Sequence, residues 1–463
     1  MGCFQKPGVD YGETYASVMS TRTFRMLLQI YNSDKSHKML HWDVSTAFIH
    51  APLQERVYMK QASGHEVRGK ETWVYQLIKA LYGTKQAARA WQQHLAKQLV
   101  KKGCMPLVVD PATYVRREKD AFVMIGTHVD DLFVLFNAPG EKLKDEVWKY
   151  LNEVLAIKNM GDAVWTLQMS IQRDPEAGVL KLSQASFTRE VLRRFNLQNT
   201  TVMSTPADTG SESSMSENHL PSSPEEKEDI DQLPFLELVG CLWWLAQMTR
   251  PDIYVALQQA SKWVAKPSAK LWRWLTRIVK YLAGTIDTGL VFRRNQKAPA
   301  LRAYVDAAYA DTDNCKSTAG WVYMFQGAMT AYDSITIKRN VTSSTEAECN
   351  ALTIIGKENT WQRRVYQELM GVNQLGPTPI SCDNSASIAM ISLGVTKRSR
   401  HFDIEWFKMQ DLIEQKELTV HWTPTEDNLA DFFTKKLPTK RFGLLRDQLM
   451  GDATDQAHFD DKA

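Results

Sequence analysis

The segment Phe122–Phe136, FVMIGTHVDDLFVLF, constrains the fold more than any other stretch of the chain. Two apolar, β-prone runs flank a short polar break, and this pattern predicts a buried β-hairpin. The break carries two adjacent carboxylates, Asp130 and Asp131. Because neighbouring carboxylates resist joint ionisation, the pair favours a bound cation such as Mg²⁺, which prefers oxygen ligands. The alternative is an ordinary surface turn, in which Asp is common.

Length and charge limit the classes of protein that the chain can be. Its 463 residues exceed one ordinary core, which predicts about two to four domains. A net charge of +3 means that any nucleic-acid surface is a local patch. Six scattered cysteines without a CxxC pair argue against a zinc site or a disulfide framework. This pattern is typical of a reducing compartment, so we expect a cytoplasmic or nuclear location. The sequence shows no apolar run of about 20 residues and no signal peptide, so no membrane association is predicted.

Upstream of the hairpin, two segments carry charges in otherwise apolar or helical surroundings. The segment MLHWDVSTAFIHA places Asp43 inside an apolar run, with Phe48 five residues later. In LYGTKQAARAW, Lys85 and Arg89 are spaced for one helical face, next to Gly83. The basic side chains of Lys85 and Arg89 suit a phosphate contact, but they can equally form a solvated helix face. Asp43 can likewise be a carboxylate at the end of a strand, without any function.

A linker is predicted at residues 204–232, which are rich in Ser, Pro and acidic residues and have Lys227 as their only Lys or Arg. Such a segment lacks the apolar residues that offset ordering entropy, so we expect it to be without regular structure. Helices follow over Phe235–Ala265 and Leu271–Gly284, where basic residues alternate with tryptophans. This pattern suits a nucleic-acid backbone, and equally suits an amphipathic helix with Trp in the core.

Four carboxylates stand out in the last third of the chain: Asp306, Glu346, Asp383 and Asp431. Three of them have simple structural explanations, because Ser343 and Glu346 form a capping-box pattern, Asp383 suits a helix N-cap, and Asp431 suits a solvated helix face over Thr425–Phe433. Asp306 lies in the middle of a predicted strand, where Asp is disfavoured. None of the four indicates a site on its own.

Taken in order, these motifs resemble a known family. The segments DYGETYA, LHWDVSTAFIHAPLQERVYMKQ, LYGTKQAARAW and HVDD resemble the reverse transcriptase of copia-type LTR retrotransposons. The segments VGCLWWLAQMTRPDI, AYVDAAYADTDNCKSTAGWVY, SSTEAE, CDNSASIA and TPTEDNLADFFTKKLP resemble the connection and RNase H region of the same polyprotein family. The resemblance runs from about residue 5 to 440 and rests on many short motifs in the correct order.

The resemblance implies a polymerase site. Asp43, Asp130 and Asp131 match the palm aspartates that hold a pair of Mg²⁺ ions, with Mn²⁺ as an alternative, during phosphoryl transfer. Phe48 matches the steric gate that selects deoxynucleotides. Gly83, Lys85 and Gln86 match the motif that backs the incoming nucleotide and the template, and Arg89 lies on the same helical face as Lys85. The implied partners are an RNA template, a DNA primer and deoxynucleotide triphosphates.

The resemblance also implies an RNase H site. Asp306, Glu346, Asp383 and Asp431 match the four acidic residues that bind two Mg²⁺ ions and hydrolyse the RNA strand of an RNA–DNA hybrid. Glu348 is a rival to Glu346 that spacing alone does not separate. The residues that match the family's basic segment, with a phosphate contact implied, are Lys397, Arg398, Arg400 and His401.

The chain departs from the family pattern at several points. The upstream fingers segment is absent, His128 replaces the usual Tyr before the paired aspartates, and Asn159-Met160-Gly161 and Leu167-Gln168 replace an Asp-Leu-Gly and a Leu-Gly motif. The leading hypothesis is an RNA-directed DNA polymerase fused to RNase H, in an N-terminally truncated fragment. The alternatives are a polymerase-inactive remnant that binds nucleic acid, and a protein that retains RNase H activity alone.

The predicted fold class is α+β. A palm-like antiparallel sheet with helices on one face precedes a helical connection and an RNase H-like α/β domain with a mixed sheet. The predicted boundaries are 1–203 for the reverse transcriptase palm and thumb, 204–232 for the linker, 233–298 for the connection, 299–440 for the RNase H-like domain and 441–463 for a tail.

Overall fold

The computed structural model describes residues 2–210, 219–221, 223–311, 315–393 and 404–451. The chain divides into two compact units. The first comprises the residues up to Leu27, Ser36–Ala163 and Val365–Gly371, and the second comprises Leu28–Lys35, Val164–Arg364 and the residues from Val372 onward. The domain boundaries given above stay predictions. In the part of the chain that the structure describes, no helix has both the length and the apolar character needed to cross a bilayer.

The first unit is built around an antiparallel sheet. Its helices and strands are α1 (Thr21–Ser33, ending in the second unit), β1 (Lys38–Val44), β2 (Pro52–Lys60), β3 (Val74–Lys79), α2 (Ala87–Lys101), β4 (Met105–Pro106), β5 (Thr113–Glu118), β6 (Ala121–His128), β7 (Asp131–Phe136), α3 (Glu141–Val154) and β8 (Ile157–Asp162). Six strands form one sheet in the order β4-β5-β6-β7-β1-β8, and β2 pairs with β3 separately. The predicted hairpin is β6–β7, at the centre of the larger sheet.

Both faces of this hairpin are covered, which explains why its strands are apolar at nearly every position. Leu132 and Val134 pack in one core with residues of α2 and α3. On the opposite face, the ring of Phe133 lies 5.4 Å from that of Phe24 in α1. Gly126 in β6 allows this approach, because a Cβ there would clash with the sulfur of Met19. The expectation of helices on one face only is therefore corrected.

The second unit contains two sheets. Its remaining elements are β9 (Trp165–Thr166), β10 (Met169–Asp174), β11 (Val179–Ser183), α4 (Ala185–Arg194), α5 (Pro224–Asp231), α6 (Phe235–Met248), α7 (Tyr254–Ser261), α8 (Ala269–Ala283), β12 (Leu290–Arg293), β13 (Leu301–Ala308), β14 (Thr318–Phe325), β15 (Ala328–Thr336), α9 (Ser344–Met370, ending in the first unit), β16 (Thr378–Cys382), α10 (Ser385–Leu393), α11 (Ile404–Glu414), β17 (Leu418–Trp422) and α12 (Thr439–Met450). One sheet has the order β12-β11-β10-β9 and is antiparallel. The other has five strands in the order β15-β14-β13-β16-β17.

The five-stranded sheet is mixed. Strands β13, β14 and β15 pair antiparallel, whereas β16 runs parallel to both β13 and β17. Val305 and Ile380 of its central strands pack in one core with Ala347 and Leu352 of α9. The chain thus combines helices with antiparallel and mixed sheets, which agrees with the predicted α+β class.

Helices α6 to α8 surround a buried ion pair. Arg250 Nη2 lies 2.7 Å from Asp252 Oδ2, and the two side chains are 1% and 0% exposed. The hydroxyl of Tyr281 donates to the same oxygen of Asp252 over 2.6 Å, and Arg250 Nη1 donates to the carbonyl of Thr285 over 2.7 Å. Each charge thus has several partners, as a buried pair requires.

Two local expectations differ from the structure. Within the predicted linker, Pro224–Asp231 forms a helix, because Ser223 caps its N-terminus and two acidic residues occupy its first turn. The predicted helix over Thr425–Phe433 is instead two 3-10 helices, Thr425–Asp427 and Leu429–Phe433. Asn428 separates them, since its side chain accepts from the amide of Ala430 and donates to the carbonyl of Val305.

Candidate active sites

The first candidate site lies at the tip of the β6–β7 hairpin. Asp43 of β1 is the register partner of Asp131 of β7, so the two carboxylates start from adjacent strands. Asp130 lies directly before Asp131 in a tight turn, and its carbonyl accepts the amide of Val44 over 2.9 Å. Val129 adopts a φ of 57°, which is rare for a β-branched residue, and its carbonyl accepts the indole N–H of Trp91 over 2.6 Å. Helix α2 therefore pins the tip.

His41 is an unpredicted member of this site. It lies two residues before Asp43 on β1, so both side chains project from one face of the strand. Its Nε2 is 2.6 Å from Asp131 Oδ1. One oxygen of Asp131 is therefore engaged by an imidazole.

Asp43, Asp130 and Asp131 lie close enough to influence one another, but they do not form a tight group of potential metal ligands. Partial burial raises the pKa of Asp130, and the nearby charges of Asp131 and Asp43 raise it further. A tight group is one in which three or more potential ligand atoms all lie within 4.8 Å of one another. Among the described residues, such groups occur in the second unit. Asp43, Asp130 and Asp131 are brought together without forming such a group.

The predicted nucleotide-binding residues lie nearby in the first unit. Phe48 belongs to the 3-10 helix Ala47–His50, and its ring centroid is 4.5 Å from that of Tyr82. Gly83 has a φ of 90°, a conformation that favours glycine in this turn. Gln86 is buried, and its amide accepts from Gln5 and donates to the carbonyl of Asp10, both over 3.0 Å. The Gln86 amide is thus bonded within the protein, and its contact with the nucleotide stays a prediction.

The two basic residues predicted beside them differ in their surroundings. Lys85 is exposed. Arg89 forms an ion pair with Glu13 at 2.5 Å and donates to the carbonyl of Tyr15 over 3.1 Å. Lys85 is therefore available to a phosphate, whereas Arg89 first has to release these partners.

The second candidate site lies at the centre of the five-stranded sheet. Strands β13 and β16 are parallel, with Tyr304 paired to Ser381. Asp306 lies two residues further along β13, and Asp383 follows the last residue of β16, so the same register continued past the strand end brings the two together. One oxygen each from Asp306, Asp383 and Asp431 lies within 4.8 Å of the others.

Asp431 reaches this group because its 3-10 helix packs directly on the sheet. Gly320 is the register partner of Asp306 on β14. A Cβ at Gly320 would lie 2.6 Å from Thr434 Cγ2 and 2.7 Å from the carbonyl carbon of Phe433. Glycine is therefore required here for the close approach of the Asp431 segment.

Glu348, rather than Glu346, faces these aspartates. Glu348, Cys382 and Asp383 form a second group of ligand atoms within 4.8 Å, and Glu348 Oε1 accepts the amide of Ala307 over 3.2 Å. Glu346 instead accepts the amide of Thr342 over 2.7 Å, at the start of α9. Two residues correspond to about 200° around a helix, so the two side chains point to opposite sides. The prediction of Glu346 is corrected to Glu348, and Glu346 completes a capping box.

We refer to Asp306, Glu348, Asp383 and Asp431 as the acidic cluster. Asp306 and Asp431 are 3% exposed and Glu348 is 5% exposed. Burial raises the pKa of Glu348 to about 9, and the charges of Asp306 and Asp383 add to this shift. Burial also raises the pKa of Asp306, against the opposing effect of Lys435. In the metal-free cluster Glu348 is therefore protonated at neutral pH.

Hydroxyl groups orient two members of the acidic cluster. The hydroxyl of Thr434 donates to Asp306 Oδ2, and that of Thr425 donates to Asp383 Oδ2 over 2.7 Å. The ammonium of Lys435 lies 2.6 Å from Asp431 Oδ1. Burial opposes the charge on Lys435, but Asp306 and Asp431 outweigh this effect and raise its pKa.

The predicted basic segment lies outside the described residues. Its members are Lys397, Arg398, Arg400 and His401. Their phosphate contacts stay a prediction.

Comparisons with known proteins agree with this arrangement of motifs. Residues 1–209 match a family described as reverse transcriptase (RNA-dependent DNA polymerase). The Retrovirus-related Pol polyprotein from transposon TNT 1-94 of Nicotiana tabacum is 32% identical over 452 residues, which make up 96% of this chain and 33% of that polyprotein. The chain is homologous to the Pol polyproteins of copia-type transposons. The predicted family relationship is thus confirmed.

The homology extends along nearly the whole chain. The Retrovirus-related Pol polyprotein from transposon RE2 of Arabidopsis thaliana is 30% identical over 443 residues, or 95% of this chain and 29% of that polyprotein. The chain thus spans about a third of the length of the Pol polyproteins it matches. The solved structure of RNase H1 from Halobacterium salinarum covers 29% of the chain and 93% of that protein at 16% identity, with a TM-score of 0.22 that is too low to support an argument.

Two residues at these candidate sites, His41 and Lys435, are not predicted from the sequence. Both carry a local signal, since His41 is two residues from Asp43 on a strand and Lys435 is four residues from Asp431. Glu348 is named from the sequence only as a rival to Glu346. Spacing identifies such candidates, but the choice among them depends on which side of each element is buried.

Proposed function

We propose that the chain is the reverse transcriptase and RNase H part of a copia-type Pol polyprotein, and that its acidic cluster hydrolyses the RNA strand of RNA–DNA hybrids. The first unit would supply the palm-like sheet, helices α6 to α8 the connection, and the five-stranded sheet the RNase H-like domain. The observation that carries the proposal is the convergence of Asp306, Asp383 and Asp431 within 4.8 Å, with Glu348 beside them.

The donor set of the acidic cluster fits Mg²⁺. Carboxylate oxygens are the ligands that this ion prefers, and three of them converge from separate elements. The raised pKa values of Asp306 and Glu348 indicate buried negative charge that a divalent ion would neutralise. Cys382 is also close to Glu348 and Asp383, but its thiol is a soft ligand, and burial raises its pKa to about 12.

Each residue of the cluster has a distinct task in this proposal. Asp306, Asp383 and Asp431 would hold the cation, and the hydroxyls of Thr434 and Thr425 fix one oxygen each of Asp306 and Asp383. When bound, Mg²⁺ supplies positive charge at the scissile phosphate and makes a coordinated water more acidic.

Glu348 is placed to hold or release a proton in the same proposal. With a pKa of about 9 it is protonated at neutral pH in the metal-free protein, and it loses this proton when positive charge enters the cluster. Metal binding at the cluster should therefore strengthen as the pH rises toward 9.

Release of RNA from a labelled RNA–DNA hybrid tests the proposal. In Mg²⁺ the full chain is expected to cut the RNA strand of the hybrid and to leave a DNA duplex of the same sequence intact. Asp306→Asn removes one charged ligand from the cluster and should lower the rate by more than about a hundredfold, since changes beyond the direct ligands alone cost ten- to a hundredfold. Equal rates for wild type and variant would contradict the assignment.

A second candidate is a protein that retains the nuclease without the polymerase. Two observations favour it: the first-unit aspartates form no group of three within 4.8 Å, and His41 engages one oxygen of Asp131. Under the leading proposal the same aspartates bind Mg²⁺, and Phe48 selects deoxynucleotides.

Primer extension on an RNA template decides between the two. The polymerase proposal predicts Mg²⁺-dependent extension by the wild type and its loss, by more than about a hundredfold, in Asp130→Asn/Asp131→Asn. If wild type and double variant extend equally poorly while hybrid cleavage persists, the nuclease-only candidate is correct.

A further inference from the structure

The side chain of Lys435 lies between two carboxylates of the acidic cluster. Its Nζ is 2.6 Å from Asp431 Oδ1 and 3.7 Å from Asp306 Oδ2. Both carboxylate side chains are 4% exposed, whereas the Lys435 side chain is 42% exposed. The ammonium therefore compensates a buried negative charge from the solvent side.

A divalent ion would require the same position. Asp306 and Asp431 belong to the group of three carboxylates whose oxygens converge within 4.8 Å. An Mg²⁺ ion shared by two of them sits about 2.1 Å from an oxygen of each. The ammonium of Lys435 lies between these same two side chains. It therefore conflicts with the ion sterically and through repulsion of like charges.

Among the residues that the structure describes, two cations, Lys435 and Arg441, contact Asp431, and they are held differently. Arg441 Nη2 lies 3.6 Å from Asp431 Oδ2 and also donates to the carbonyl of Thr425 over 2.8 Å. Arg441 Nη1 donates to the carbonyl of Glu426, so this guanidinium is fixed by the backbone. The contacts of Lys435 are with the carboxylates themselves, and its flexible stem allows the ammonium to move. Lys435 is therefore the cation that can yield its place.

We propose that Lys435 is the resident counter-cation of the acidic cluster and competes with the divalent ion for it. Its ammonium holds Asp306 and Asp431 together in the metal-free protein and withdraws toward solvent when Mg²⁺ or Mn²⁺ binds. The inference rests on the proposed nuclease function. Because it acts through the carboxylates, Lys435 is a positioning residue that sets the metal concentration at which the cluster fills.

Titration of the full chain with Mn²⁺ alone tests this competition, with free Mn²⁺ followed by its EPR signal. Every protein in this titration, the reference included, carries Asp130→Asn/Asp131→Asn, which removes the proposed metal ligands of the first unit and leaves the acidic cluster as the site observed. Lys435→Gln removes the competing charge and is expected to lower the Kd for Mn²⁺ by about tenfold, the scale on which neighbours of metal ligands alter affinity. Lys435→Arg keeps the charge and should bind Mn²⁺ more weakly than Lys435→Gln. Lys436→Gln is the matched control, since it removes the same charge one residue away, where Lys436 Nζ lies 4.2 Å from the ring centroid of Trp274.

The outcomes separate this inference from the proposed function. A Kd for Lys435→Gln equal to or weaker than that of the reference and Lys436→Gln overturns the competition. Asp383→Asn should abolish the same binding, and if it does while Lys435→Gln leaves the Kd unchanged, only the inference on Lys435 fails. If Asp383→Asn binds Mn²⁺ like the reference, the cluster is not the metal site and the proposed function fails as well. Thermal melting verifies that each variant is folded.

Discussion

Glu348→Gln is expected to lower the rate of RNA release from an RNA–DNA hybrid by more than about a hundredfold, whereas Glu346→Gln stays within about threefold of wild type. Both variants replace a carboxyl group by an amide of the same size in the first turns of α9, two residues apart. Glu348 faces Asp383 and Cys382, while Glu346 is bonded to Thr342 outside the cluster. The pair thus compares the same chemical replacement inside and outside the acidic cluster.

The stability of the two variants should differ in the opposite sense. The pKa of Glu348 is about 9 in the folded protein and near 4.5 in the unfolded chain, so between these pH values the folded state binds one more proton. Stability of the metal-free protein therefore falls as the pH rises through this window. Gln removes the titration, so Glu348→Gln should melt at or above the wild-type temperature at pH 8. Glu346→Gln removes a negative charge from the first turn of α9, where such a charge is stabilising, and should melt slightly lower.

A reversed pattern would contradict the assignment of Glu348. If Glu346→Gln abolishes RNA release while Glu348→Gln leaves it intact, the carboxylate in the site is Glu346. A loss of activity in Glu348→Gln that accompanies a lower melting temperature would instead indicate unfolding. Measuring both quantities on the same preparations keeps these results distinct.

Asp252→Asn is expected to destabilise the second unit by about 3–5 kcal/mol, because it leaves a buried guanidinium without its counter-charge. Arg250 is 1% exposed, and Asp252 is the carboxylate with which it pairs at 2.7 Å. The substitution keeps the size of the side chain, so a lost charge rather than a cavity is tested. Tyr281 also loses a charged acceptor for its hydroxyl.

The surface ion pair between Arg189 and Asp287 offers a matched control. Its two side chains are both 55% exposed and 2.8 Å apart. Asp287→Asn should therefore cost less than about 1 kcal/mol. Urea unfolding followed by tryptophan fluorescence compares the two variants. Equal losses in the free energy of unfolding would show that the buried Arg250–Asp252 pair stabilises the protein no more than the exposed pair does.

The parts of the fold that the sequence predicted well are those with an unambiguous hydrophobic period. The hairpin around Asp130 and Asp131 follows from two apolar runs around a short turn. In contrast, the sequence of α1 does not show that Phe24 covers the second face of the hairpin, because that contact joins residues about a hundred positions apart.

The candidate sites were predictable by residue type but not by geometry. The order of the motifs predicts Asp306, Asp383 and Asp431 as site residues. The parallel register of β13 and β16 explains why Asp306 and Asp383 meet. The choice between Glu346 and Glu348 depends on the rotation of α9 against the sheet. The positions of His41 and Lys435 depend on carboxylates in other elements. These are tertiary contacts, and the local spacing at His41 and Lys435 indicates candidates without fixing which carboxylates they meet.

The most direct test of the nuclease assignment is release of RNA from a labelled RNA–DNA hybrid by the full chain in Mg²⁺, measured for wild type beside Asp306→Asn. The convergence of Asp306 with Asp383 and Asp431 predicts cleavage of the RNA strand by the wild type and a rate at background for the variant. Equal rates for the two proteins, with both folded, would show that the acidic cluster does not carry the hydrolysis.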